Sequence, residues 1–208
     1  MTARTSSTPI YSEIARESFY KILALEPQKL AIEANLASVV IPDERLLLEH
    51  KISNIDIELA KLASVTIVFT MISVEAYIYD YAARNYSDSF IKKYIDKLDP
   101  ISKWVIVPKL ITGKELSRRG EWFQLFRNLI RERNSIIHSK SSEAPYTNED
   151  FQKYADKQKE SRASFFKKAK EAIDLLDILP NEIGNLDEEE NFWAESYFSK
   201  PTTTLEEK

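Results

Sequence analysis

The stretch "DERLLLEHKISNIDIELAKLASVTIVFTMISVEAYIYDYAARNY", residues 43–86, runs for more than forty positions without a glycine or a proline. Those two residues are the ones that interrupt helices most effectively. Leu48, Ile52, Ile55, Leu59, Leu62 and Thr66 recur at three-four spacing, and Ile67, Met71, Val74 and Ile78 continue it. That period puts them on one face of an α-helix. We therefore read one long helix opening at Pro42. Its most apolar run, "LASVTIVFTMISV", lies between Lys61 and Glu75. It is shorter than the roughly 20 residues a membrane span needs. We read it as a core helix and expect no membrane partner.

Outward from this helix the pattern stays helical. "STPIYSEIARESFYKILAL" has Thr8 as a candidate cap and Pro9 at the first helical position. "EPQKLAIEANLAS" reads as a second short helix. "SDSFIKKYIDKLD" is a short helix capped by Ser87 or Asp88 and closed or restarted by Pro100. The segment 100–116 reads as irregular or short-helical, punctuated by Pro108 and Gly113. A strong helix spans Glu121 to about Ile137, and "SKSSEAPYTNED" is a loop. Residues 148–179 form the last long helix, which Pro180 should stop. From Asn181 an acidic tail with "DEEE" and "FWAESYF" is expected to lack order. The expected fold is all-α: an antiparallel helical bundle with two long core helices and shorter connecting helices. Residues 1–42 form an N-terminal helical extension, 43–180 the helical domain and 181–208 the tail.

Composition bounds the chemistry. Of 208 residues, 43% are apolar, a globular proportion, and only three are glycine. There is no cysteine, which removes disulfides, thiolate nucleophiles and sulfur-ligated zinc. Two histidines are too few for a histidine-rich metal site, so neither metal nor cofactor is expected. No secretory signal is visible in "MTARTSSTPIYSEI", and a cytoplasmic location is expected. The net charge is −4, yet residues 103–140 carry nine basic and three acidic groups, a local +6. A positive block of this kind suits an anionic substrate better than the total charge suggests.

The block contains "RERNSIIHSK", residues 131–140. On a helix, Trp122, Phe126, Leu129, Arg133 and Ile137 lie within roughly 40° of a common line. Arg133 thus interrupts an apolar stripe, where an unpaired guanidinium would cost several kcal/mol. It needs a carboxylate, a phosphate or a second subunit. Glu75, the one acid beside the most apolar run, is the in-chain candidate. Arg127, Arg131, Asn134 and His138 form a second row, polar and equally narrow, of a kind that can grip a phosphodiester. Arg133 and His138 are about 140° apart on an ideal helix. Either the helix loosens at His138, or the working pair comes from two chains of a dimer. Arg45 and His50 repeat the spacing without a polar row, so His50 reads as a surface residue.

The 131–140 element resembles the signature of the HEPN superfamily (higher-eukaryote and prokaryote nucleotide-binding domains). In that signature an arginine and a polar residue precede a histidine at a helix end. "VFTMISVEAYIYDYA" resembles the family's first core helix, and "SKWVIVPKLITGKEL" with "WFQLFRNLIRERN" resembles its connector and second core helix. The likeness spans about residues 55–180. It implies a helical bundle that dimerises with its signature helices facing each other. It also implies a metal-independent endoribonuclease of toxin–antitoxin or defence systems, with RNA as partner and an antitoxin or other protein as a further one. By the resemblance, Arg133 and His138 are the catalytic pair and Asn134 their polar companion. Arg127, Arg131 and Lys140 would bind substrate, and Glu75 would orient Arg133. Inactive members of the family bind RNA, nucleotides or proteins, which is the alternative. Toxins silenced by a nucleotidyltransferase carry Tyr two places after the histidine; Lys140 stands there, so that regulation is not expected.

Overall fold

A computed structural model describes residues 5–138 and 148–198, with side chains described for 5–138 and 164–198. Among the described residues the fold is all-α. The helices are α1 (Thr8–Leu36), α2 (Pro42–Asn85), α3 (Asp88–Phe90), α4 (Pro100–Thr112), α5 (Glu121–Ile137), α6 (Asn148–Leu186) and α7 (Asn191–Phe198). A π-helical turn, Ile91–Ile95, follows α3 and buries both of its terminal isoleucines.

The breaker-free stretch forms α2 as its period requires, 44 residues without interruption. It is long and apolar enough to cross a membrane by length and composition. Its apolar run is turned into the protein: Leu62, Ala63, Ile67, Met71 and Val74 are all buried. α1 packs antiparallel along α2. Ser73 Oγ donates to the Thr8 carbonyl at 3.1 Å near one end, and Lys29 pairs with Asp56 at 2.7 Å towards the other. α6 lies on α2 and α5 packs against both. Rings from four helices close the core. Trp104 of α4 stacks on Tyr77 of α2 at 5.9 Å and meets Trp122 and Phe126 of α5, each at 6.0 Å. Phe198 of α7 lies 4.9 Å from Tyr77.

Several boundaries differ from expectation, each for a packing reason. The two short N-terminal helices are one, α1, which passes through Pro27. α1 is part of the core rather than an appendage, with Ala15, Phe19 and Ile22 buried. Its N-cap is Ser7, not Thr8. Segment 100–112 is a continuous helix through Pro108, ended by Gly113 in the left-handed region at φ 74°. Pro180 does not stop α6, which runs on to Leu186. Residues 181–198 are helical up to Leu186 and again in α7, where the expected tail had no order. Leu179, Ile183, Ala194 and Phe198 are buried, so apolar burial holds what the acidic run alone would have left in water. Of the two candidate caps, Ser87 and Asp88, Ser87 caps α3, accepting from Phe90 N at 3.4 Å.

Candidate functional site

α5 begins at Glu121 and ends at Ile137, as its pattern requires. Trp122, Phe126 and Leu129 are buried, anchoring the N-terminal two thirds of the helix. The stripe then rises out of the core: Arg133 is half-buried and Ile137 is 54% exposed. Arg127, Arg131, Asn134 and His138 are all exposed. The polar row read from the sequence therefore faces solvent along one side of α5. Lys140 lies outside the described residues.

Arg133 is not stranded. Its Nη2 donates to Glu75 Oε1 of its own chain at 2.5 Å, and its Nη1 donates to Asn134 Oδ1 at 3.2 Å. The two ionic side chains are 24% and 27% exposed. The in-chain carboxylate is thus within reach of Arg133, as its pattern requires. Part of the guanidinium remains at the surface beside the polar row. Its neighbour Glu132 turns the other way and pairs with Lys168 of α6 at 2.6 Å, which fixes the rotation of α5.

His138 is the C-cap of α5. Its backbone, at φ −103° and ψ 19°, has left the helical region, while its N–H still bonds the Asn134 carbonyl at 2.9 Å. The helix loosens at the histidine, the first of the two routes considered above. Within one chain Arg133 is nevertheless turned towards α2 and His138 towards solvent. His50 is exposed and exchanges a hydrogen bond with Asn54 at 3.1 Å, and Arg45 pairs with Glu49 at 3.0 Å, in keeping with a surface role.

A second polar group escaped the sequence reading. Tyr77, Tyr81 and Arg84 lie on one face of α2 and meet the "DEEE" run. Tyr77 Oη donates to Glu190 Oε1 at 2.8 Å, and Tyr81 Oη donates to Asp187 Oδ2 at 2.6 Å. Arg84 pairs with Glu190 and lies over the Trp193 and Tyr197 rings at 5.5 and 5.9 Å. Burial pushes both tyrosine hydroxyls well above their ordinary range, and Glu190 is also raised, chiefly by burial. On α1, Arg16 is 1% exposed, pairs with Asp177 at 2.6 Å and donates to the Phe198 carbonyl. Ser12 Oγ donates to the Tyr197 carbonyl at 2.6 Å. Together these groups fasten α7. The four- and three-residue spacing of Tyr77, Tyr81 and Arg84 was the available signal, but an acidic run separated by a hundred residues could not be paired with it in advance.

Comparison with protein-family models, with curated proteins and with solved structures finds no match.

Proposed function

We propose that this chain is a metal-independent endoribonuclease of the HEPN type, working as a homodimer through α5 in a toxin or antiviral defence role. The observation that carries the reading is the exposed row Arg127–Arg131–Asn134–His138, which ends on a histidine where the helix opens, beside a guanidinium clamped by Glu75. Two exposed arginines in line supply the positive charge that a phosphate backbone attracts. An imidazole can take the proton from a 2′-hydroxyl, which then attacks phosphorus. A second imidazolium can protonate the departing 5′-oxygen, leaving a 2′,3′-cyclic phosphate and a 5′-hydroxyl. A dimer supplies both imidazoles as two copies of His138. Arg133, steadied by Glu75, would stabilise charge on the phosphorane.

The in-chain Arg133–Glu75 pair favours a second reading. A guanidinium already neutralised by a carboxylate has less charge to give a transition state, so α5 would then be an RNA-binding face without cleavage.

One experiment separates the two. Purified protein is incubated with RNA in EDTA, the His138→Ala variant beside it, and both cleavage and binding are followed. Cleavage to cyclic-phosphate ends by the wild type alone supports the enzyme. Equal binding by both proteins with all RNA intact supports the binding module and overturns the catalytic reading. Loss of binding as well as cleavage in an Arg127→Glu, Arg131→Glu variant is expected under either.

A further inference from the structure

Beyond the bundle core, the far end of α1 and the first turns of α2 form a two-helix arm. Along it, Ile52, Ile55 and Leu59 of α2 are half-buried and Lys29 of α1 reaches Asp56. The opposite side of α2, roughly 150° round the helix, carries another row. Asp43, Leu47, His50, Asn54, Ile57 and Lys61 follow one another at alternating spacings of four and three, and all six are exposed. Leu47 is 57% exposed, Ile57 60%, and Leu46 on the row's flank 67%. That alternation has the spacing of a coiled-coil seam, with Leu47 and Ile57 as its apolar positions. Among the described residues, all six side chains of this row are open to solvent.

The row matches itself when reversed. Turned about a twofold axis midway between His50 and Asn54, Leu47 meets Ile57 of the other copy and His50 meets Asn54. The carboxylate of Asp43 meets the ammonium of Lys61. Acid sits at one end of the row and base at the other, so antiparallel pairing joins opposite charges and parallel pairing joins like ones. The flank fits as well: Leu46 falls opposite Ala60, and Ser53 leaves room near the axis. Lys51 falls beside its own copy and Glu44 beside Glu58, like charges on the other flank that the two Asp43–Lys61 pairs must outweigh. A polar pair at the centre of a short apolar seam also sets register, because any shift buries His50 or Asn54 against Leu or Ile.

We propose that the outer face of α2 is a self-association surface on which a second copy of this chain docks antiparallel. Such a contact is isologous and closes on itself. It shares no residue with α5 and does not rest on the ribonuclease reading.

The test uses the full chain. Its mass is followed by sedimentation over a concentration series reaching the millimolar range, together with Leu47→Glu, Ile57→Glu carrying both changes. Both positions are exposed, so helix content by circular dichroism should not move. The variant should dissociate at least tenfold more readily than the wild type, with the mean mass at matched concentration falling to that of whatever assembly α5 alone holds together. Asp43→Lys should weaken association and Lys61→Asp added to it should restore it, a rescue that a merely destabilised helix would not show. Because the chain lacks cysteine, Leu47→Cys and Ile57→Cys proteins can be mixed under oxidising conditions, and the mixed disulfide should outrun either homodimer. A monomeric wild type at every concentration would overturn the proposal. So would a dimer indifferent to the glutamates, which would place the contact elsewhere.

Discussion

Arg133 illustrates how one side chain carries two readings. An arginine within an apolar stripe is costly unless paired, and the pair with Glu75 removes that cost inside a single chain. Removing the carboxylate leaves a largely covered guanidinium without its partner, whereas removing the arginine by an apolar side chain leaves a smaller defect. Glu75→Ala should therefore destabilise the protein by more than Arg133→Met, by about 1–3 kcal/mol in denaturant titration. Equal effects would mean that the pair adds little. Asp99 makes a simpler case. It caps α4 by accepting from Ser102 N at 3.1 Å, and the bonds from Ser102 hold its carboxyl below the usual range. A depressed value means stability that is present above the unfolded carboxyl's titration and lost as pH falls through the folded one. Asp99→Ala should cost about 1 kcal/mol at neutral pH and nothing in strong acid, read from thermal midpoints against pH. Glu190 runs the other way. Burial raises it, so its contribution is fullest in acid and is lost as pH rises through the raised value. Glu190→Gln mimics the protonated form and should flatten that part of the stability–pH curve. A variant that kept the wild-type slope would refute the assignment.

At the scale of elements, the prolines and the last helix matter most. Pro27 sits inside α1 on an exposed position, where it supplies no N–H and crowds the preceding turn. Since nothing packs on it, Pro27→Ala should stabilise the chain by about 1–3 kcal/mol, seen as a higher urea midpoint at unchanged m-value. A loss of stability would mean that α1 needs its bend to follow α2. Pro108 and Pro180 are instead buried, so substitution there would alter packing as well as backbone. α7 depends on one ring: Phe198 is fully buried against Tyr77 and its carbonyl is held by Arg16. Phe198→Ala should cost roughly 3–5 kcal/mol and release α7 first, seen as early amide exchange over 191–198. Phe192 and Trp193 stay exposed on the same helix at 69% and 41%. Part of the aromatic cluster is thus available to partners even though the rest is folded in.

For the whole molecule, charge and apolar surface are both unevenly spread. The basic block of residues 103–140 includes the exposed row of α5, while exposed leucine and isoleucine collect on the α1–α2 arm. The proposed RNA face and the proposed docking face are therefore separate surfaces. Much of this was legible in the residues: α2 from its unbroken three-four period, α5 from its stripe, the Ser87 cap, the two rows on α5, and Glu75 as the in-chain candidate for Arg133. These are local properties, set by the angle between successive side chains and by the few residues that stop a helix. Other outcomes depended on neighbours far away in sequence. Helices run through Pro27 and Pro180, and α7 forms, because burial against α1, α2 and α6 outweighs local penalties of a few kcal/mol. Arg133 pairs with Glu75, 58 positions away, and the tyrosines of α2 find the acidic run that the linear pattern assigned to solvent. Periodicity along the chain determines which residues share a face. Only packing decides what each face meets, because the partner is chosen by proximity in space and by the cost of leaving charge and oily surface uncovered.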